Sequence, residues 1–279
     1  MGGNRKHLAM TITPNKWELD VQGYLNVCNI TDATPRKQIR DFSAGVNDLG
    51  LWNSMVCWPL RSSQNYGSGA TAFSLGGLGT FNGTLINGPT WEADGITFAN
   101  STHHINVPSA VGLFNNQSAG WSVTAAIDSD RTGGDSTHIA LTATVGTGAG
   151  GRVTIATRNG GSNQFVAGGR RLDADTFAPS VSTSTSAWTH LECRSDWGAG
   201  NAQLVVNGTA QTSAAYSSGA GNTSATDSQT VMIGNGPAGA GLPGTISFAL
   251  MCRTLPSLDD TERFRDLYKS TLGTGLGLP

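Results

Sequence analysis

Ala187-Trp-Thr-His-Leu-Glu-Cys-Arg-Ser-Asp-Trp-Gly-Ala-Gly-Asn-Ala-Gln-Leu-Val-Val-Asn-Gly208 reads as a β-hairpin. Strand side chains alternate with period 2, so Trp188, His190, Glu192 and Arg194 share one face, and Thr189, Leu191 and Cys193 share the other. Ser195 to Asn201 supplies the Asp, Gly and Asn of a reversal. Ala202–Val206 is the return strand. Asn207-Gly208 is the strongest short hairpin turn, because both residues tolerate positive φ.

The same grammar extends on both sides. Candidate strands are Thr84–Ile86, Gly95–Phe98, His103–Val107, Trp121–Ile127, His138–Val145, Arg152–Thr157, Gln164–Ala167, Trp188–Arg194, Ala202–Val206, Thr230–Ile233 and Thr245–Cys252. Turn signals recur roughly every ten residues between them, the spacing of an antiparallel sandwich or barrel. The composition agrees. Glycine, at 38 of 279 residues, is about twice its average usage, and charged residues, at 13%, are about half theirs.

Helical patterns flank this region. After an irregular arm ending at Pro14, residues Leu19, Val21, Tyr24, Leu25 and Cys28 suit one short helix. Thr34-Pro35 opens a second, with Thr34 as N-cap, whose apolar stripe is Ile39, Phe42, Val46 and Leu49. Leu51 to Trp58 is expected to add a further turn or two before Pro59. Ser257 caps a last helix with the stripe Phe264, Leu267, Tyr268 and Leu272. The expected organisation is an N-terminal arm and helical docking unit over residues 1–61, a Gly/Ser-rich linker over 62–80 (linker or meander, with Ala70–Leu75 a possible strand), and a β domain with its closing helix over 81–279.

Four stretches together resemble the laminin G-like, concanavalin A-like jelly-roll superfamily. They are Asp94-Gly-Ile-Thr-Phe-Ala-Asn-Ser-Thr-His-His-Ile-Asn-Val107, Trp121-Ser-Val-Thr-Ala-Ala-Ile127, the 187–208 hairpin, and Met232-Ile-Gly with Gly244-Thr-Ile-Ser-Phe-Ala-Leu250 leading to Leu255, Asp260 and Glu262. The resemblance covers roughly residues 81–272. It implies a mainly β antiparallel jelly-roll sandwich with a small N-terminal helical unit and a C-terminal helix. It departs at Ala99-Asn100, where the family usually has Asp-Gly. Lectins, receptor modules and glycoside hydrolases share this fold, so it does not set function. The stretch Val21-Gln-Gly-Tyr-Leu-Asn-Val-Cys-Asn-Ile-Thr-Asp-Ala-Thr-Pro-Arg36, followed by Leu49-Gly-Leu-Trp-Asn-Ser-Met55, resembles an N-terminal module of tailed-bacteriophage virion proteins. That likeness implies a structural or host-contacting virion protein, made in the host cytoplasm and present in many copies or as a homo-oligomer beside other capsid or tail proteins.

A retaining glycosidase needs two carboxylates about 5–5.5 Å apart. Glu92-Ala-Asp94 and Asp173-Ala-Asp175 are the same-face pairs, and both sit where turns need Asp. No catalytic residue is assigned. The cofactor expectation is none, with Ca²⁺ as the alternative at Asp128, Asp130 and Asp135, where oxygen-rich loops follow a strand. His103-His104 straddle a strand and cannot act as neighbouring ligands. Trp197, with Asp196 and Asn201, lies in a Gly-rich loop where an exposed indole could stack on a host-surface glycan. Partner docking is assigned to Ile39, Phe42, Val46, Leu49, Trp52 and Met55.

A net charge of −2 gives no reason to expect nucleic acid, although residues 1–40 carry six basic groups against three acidic ones. The four cysteines include no C-x-x-C pair, and Cys193 and Cys252 fall at apolar strand positions. No apolar run approaches the ~18 residues of a membrane helix, and no secretory leader is expected. The rival readings are a carbohydrate-binding lectin or adhesin and, behind it, a glycoside hydrolase.

Overall fold

The computed structural model describes residues 14–107, 121–128, 138–145, 152–159, 163–171, 174–177, 181–182, 187–196, 198–216, 229–236 and 241–279. Two helices come first, α1 (Lys16–Val27) and α2 (Ala33–Asp48), and α3 (Leu258–Ser270) closes the chain. Between them run β1 (Met55–Pro59), β2 (Thr71–Ala72), β3 (Gly83–Ile86), β4 (Thr90–Trp91), β5 (Ile96–Phe98), β6 (His104–Val107), β7 (Trp121–Asp128), β8 (His138–Val145) and β9 (Arg152–Asn159). The series continues with β10 (Asn163–Arg171), β11 (Ala174–Phe177), β12 (Val181–Ser182), β13 (Thr189–Asp196), β14 (Asn201–Val206), β15 (Thr209–Ala210), β16 (Ala214–Ala215), β17 (Gln229–Ile233) and β18 (Gly244–Cys252). Each of the eleven expected strands is present, most of them extended by a residue or more.

The strands form two antiparallel sheets. One has the order β15-β14-β13-β7-β18-β5-β4, with β1 on β18 and β16 on β14; the other has the order β11-β10-β9-β8-β17-β6-β3-β2, with β12 on β10. Facing residues of the two sheets, among them Val56, Trp58, Phe98, Ile105, Ala125, Ile127, Leu141, Ile155, Phe165, Leu191 and Met251, make the sandwich core. The fold is therefore mainly β, as the sequence indicates.

A third layer covers the outer face of the first sheet. Phe248, Leu250 and Cys252 of β18, Met55 and Cys57 of β1 and Ala126 of β7 pack there with Val21, Leu25, Ile39, Phe42, Val46, Phe264 and Tyr268 of the helices. This explains why β13 is buried along almost its whole length instead of at every second residue. The switch of phase within β18 has a local cause. A β-bulge between Ile246 and Phe248 inserts one residue against β7. Ile246 consequently faces the sandwich while Phe248 faces the helices, where strict alternation would put both on one side. Ser247 faces the helical side as well and accepts a 3.2 Å hydrogen bond from the Tyr268 hydroxyl.

Several expectations change here. Residues 55–59, read as helix, form β1, paired with β18 from Met55↔Cys252 to Pro59↔Phe248. Trp52, Met55, Val56, Cys57 and Trp58 make a dense apolar run. Such a run suits a strand covered on both faces as well as it suits a helix, and the pairing edge of β18 decides between them. Residues 62–80, read as a linker, are built into the molecule. The buried Asn65 amide donates to the carbonyls of Pro59 (2.8 Å) and Phe73 (2.9 Å), and its oxygen accepts from the amides of Tyr66 (2.8 Å) and Phe73 (3.1 Å). Leu75 forms a bridge with Cys57. The N-cap of α2 is Asp32, whose carboxylate accepts from the Thr34 amide at 2.8 Å, so Thr34 lies inside the helix. The cap of α3 is Ser257, as expected.

Candidate functional site

The residues assigned to partner docking lie inside the chain. Ile39, Phe42, Val46, Trp52 and Met55 are buried, and Leu49 packs at their margin. Phe42 meets the rings of Phe248 and Phe264 edge-on, each at 5.7 Å between centroids. α2 approaches α3 closely enough that a Cβ on Gly45 would stand 2.6 Å from the Leu267 methyls. The stripe is apolar because it covers the first sheet, so it is not free for another protein. That corrects its assignment.

The outward surface of the helical layer is a different stripe. Val21, Tyr24 and Leu25 of α1 face the sheet, whereas Leu19 (57% exposed) and Val27 (55% exposed) face solvent with Gly23 between them. These three line a groove of about 360 Å³ against Phe73, Ser74, Gly79 and Asn82. At one end Lys16 pairs with Asp20 at 2.7 Å. Tyr66, half-exposed, leans edge-on against Phe73 at 6.0 Å. The sequence pattern groups Leu19 with Val21, Tyr24, Leu25 and Cys28 in one helix, and the structure sets Leu19 apart from them on the exposed side. Leu19, Gly23 and Val27, four residues apart, form a second stripe about 150° round the helix from the buried one.

The hairpin face bearing Trp188, His190, Glu192 and Arg194 turns onto the helical layer. Arg194 donates to Glu192 Oε1 (3.2 Å), Thr261 Oγ1 (2.7 Å) and the Pro256 carbonyl (2.5 Å). Thr261 in turn donates to Glu192 Oε1 at 3.4 Å. Burial raises the Glu192 carboxyl above its ordinary range, against the opposing pull of Arg194 and of hydrogen bonds from Thr261, Arg194 and Ser122. Beside it, Ser122, Thr124, Glu192, Pro256 and Thr261 help to enclose a cavity of about 10 Å³, about the room of one water. These contacts fasten α3 to β13, and they occupy Glu192 and Arg194 fully.

His190 sits one step along the same face. Its ring lies 5.7 Å from Tyr268 and 6.3 Å from Phe264, and neither ring nitrogen has a hydrogen-bond partner. Burial, with the Arg265 charge adding to it, lowers its pKa to about 3. The four cysteines are all buried free thiols, and burial pushes Cys28 and Cys193 up to about 12, far from a reactive thiolate.

The remaining assignments are scattered. Asp196 Oδ1 accepts from the Ala199 amide at 2.8 Å, and Asn201 pairs opposite Asp196 in the ladder, so both build the turn. Trp197 lies outside the described residues. Of the acidic loop set, Asp128 lines a rim pocket of about 230 Å³ with Thr97, Ala99, Pro243, Gly244 and Thr245. Asp130 and Asp135 lie outside the described residues, among which no group of three metal-ligating side chains occurs. Glu92 and Asp94 are exposed in a turn closed by Glu92 N–H to the Gly95 carbonyl (2.8 Å), with Asp94 3.4 Å from Arg61. Asp173 lies outside the described residues; Asp175 is in β11. His103 accepts from the Ala99 amide at 3.3 Å, and His104 bonds the Thr102 carbonyl at 3.0 Å, so each serves its own turn.

No family model and no curated protein matches this chain. Solved structures do. A mutant Trypanosoma rangeli sialidase displaying trans-sialidase activity superposes with a TM-score of 0.55 at 13% identity, over 86% of this chain and 39% of that one. The binding domain of botulinum neurotoxin serotype D superposes with a TM-score of 0.50 at 11% identity, over 78% of this chain and 51% of that one. The chain thus spans from two fifths to about half the length of these two proteins. At such identities the likeness is one of fold, the antiparallel β-sandwich.

Proposed function

We propose that this chain is a bacteriophage virion surface protein that works without a catalytic step, anchored through its helical layer and presenting its sandwich outward. The observation that carries the reading is the α1 groove. Leu19 and Val27 stay exposed on a helix whose other apolar face is sealed onto the first sheet. Two large aliphatic side chains beside an aromatic pair form the kind of apolar patch that marks a protein contact. The occupant proposed is an adjacent virion subunit, in keeping with the phage-like stretch 21–36 and 49–55 that folds into this same layer. Many copies held on a particle would convert weak contacts at the exposed sandwich rim into firm attachment.

The test is particle incorporation of a Leu19→Glu/Val27→Glu double variant. Both positions are exposed, so the isolated protein should unfold at the same temperature as the parent within about 2 °C. Incorporation should be lost. Normal incorporation of the folded variant would refute docking through α1.

A second reading is glycan contact. It draws on the sandwich fold shared with the sialidase and the toxin binding domain, and on the reversal between Asp196 and Asn201 at the exposed end of the hairpin. Binding to a glycan array that disappears in Trp197→Ala would favour it.

A further inference from the structure

We propose that His190 is an acid-sensitive latch: protonation of its ring releases the C-terminal helix from the sheet that it covers. His190 stands at the centre of the β13–α3 contact, wedged against Phe264 and Tyr268, with neither ring nitrogen bonded. Only an uncharged imidazole fits there, because a cation would sit in an apolar site with no acceptor.

The surrounding groups reinforce this. From α3, Arg265 opposes a positive His190, although Asp266 pairs with Arg265 at 2.6 Å. Glu262 and Arg265 both lie over Gly208, where the hairpin turns. The Tyr268 hydroxyl is spent on Ser247. On its own strand Glu192 and Arg194 are committed to each other and to Thr261. Ala126, opposite His190 in β7, carries no charge, and Asn207 offers its side-chain oxygen to the His190 backbone amide. α2 turns Phe42 toward the same aromatic group.

The sign follows from linkage. In the closed state the ring titrates at about 3, and in the open state at its ordinary 6.5. The closed form is fully favoured above pH 6.5 and loses ground as pH falls from there toward 3. From His190 alone, the open-to-closed ratio should rise about 30-fold between about pH 8 and pH 5. Glu192 acts in the opposite sense. Its raised carboxyl favours the closed form on the acid side, so it opposes the release and does not cause it.

The experiment is hydrogen–deuterium exchange of the full chain at both pH values, corrected for intrinsic rates. Protection of the α3 amides should fall in the parent, by less than the about 30-fold of His190 alone because Glu192 opposes the release, while β9 and β10 of the far sheet keep theirs. In His190→Phe, which keeps a ring against Phe264 and Tyr268, α3 should show no such fall; if that variant does not fold, His190→Leu is measured with the same expectation. In Glu192→Gln the fall should persist or steepen. Unchanged α3 protection in the parent, an equal fall in both sheets, an equal fall without His190, or loss of the fall in Glu192→Gln would each overturn the latch.

Discussion

Replacing Phe42 by alanine separates a helical layer integral to the fold from one that merely docks elsewhere. The ring is fully buried between α2, α3 and β18, edge-on to Phe248 and Phe264 at 5.7 Å each. Truncating a buried phenylalanine costs about 3–5 kcal/mol through lost transfer energy and the cavity left behind, and the two edge-to-face contacts place this site toward the upper end. For a chain of this size the loss corresponds to a fall in unfolding temperature of about 6–20 °C. Urea unfolding followed by tryptophan fluorescence gives the free energy directly, provided that the transition remains two-state. Were the α2 stripe an interface for another protein, Phe42 would be solvated in the isolated chain and alanine would cost under about 0.5 kcal/mol. A measured loss below about 1 kcal/mol would refute the three-layer arrangement. The same logic predicts that deleting residues 1–58, which removes most of β1 and uncovers Phe248 and Leu250, gives an aggregating product and not a folded sandwich.

Arg194→Met should destabilise by about 3–5 kcal/mol because it strands the buried Glu192, and adding Glu192→Leu should recover much of that loss in a double-mutant cycle of denaturation measurements. Asn65→Ala removes the amide that joins Pro59, Tyr66 and Phe73, and unfolding curves should show a cost of about 1–3 kcal/mol, whereas a free linker would show none. Addition of about 1 mM CaCl₂ should move the unfolding temperature by less than about 1 °C, since Asp128 is the one carboxylate of its rim pocket among the described residues. A rise of several degrees, reversed by EDTA, would instead reveal a calcium site.

The sandwich was legible because strands advertise themselves locally. Alternation in Thr189–Asp196, the Asn207-Gly208 reversal with both residues at positive φ (50° and 83°), and the long apolar Gly244–Cys252 run each follow from nearest-neighbour chemistry. Ser257 was readable as a cap for the same reason. Met55–Pro59 was not, because a run covered on both faces has no period of its own, and its partner β18 lies some two hundred residues away. The 62–80 stretch misled through composition. Its Ser and Gly residues look like spacer, yet the one residue that binds it down, Asn65, acts through contacts made only after folding.

Of the candidate sites, the sequence alone identified which side chains share a face: the Trp188, His190, Glu192 and Arg194 row is intact. What that face meets was decided by the tertiary structure. A period-2 pattern says that two faces differ, but it does not say whether the polar one meets water or a helix. Here α3 lies over the row, so Glu192 and Arg194 become a buried fastening and His190 an uncharged wedge. Likewise, hydrophobic spacing told that Ile39, Phe42 and Val46 needed cover, and the sheet of the same chain provides it, leaving Leu19 and Val27 as the apolar surface of α1. Burial is a property of the partner as much as of the residue, and the partner is chosen only when distant segments meet.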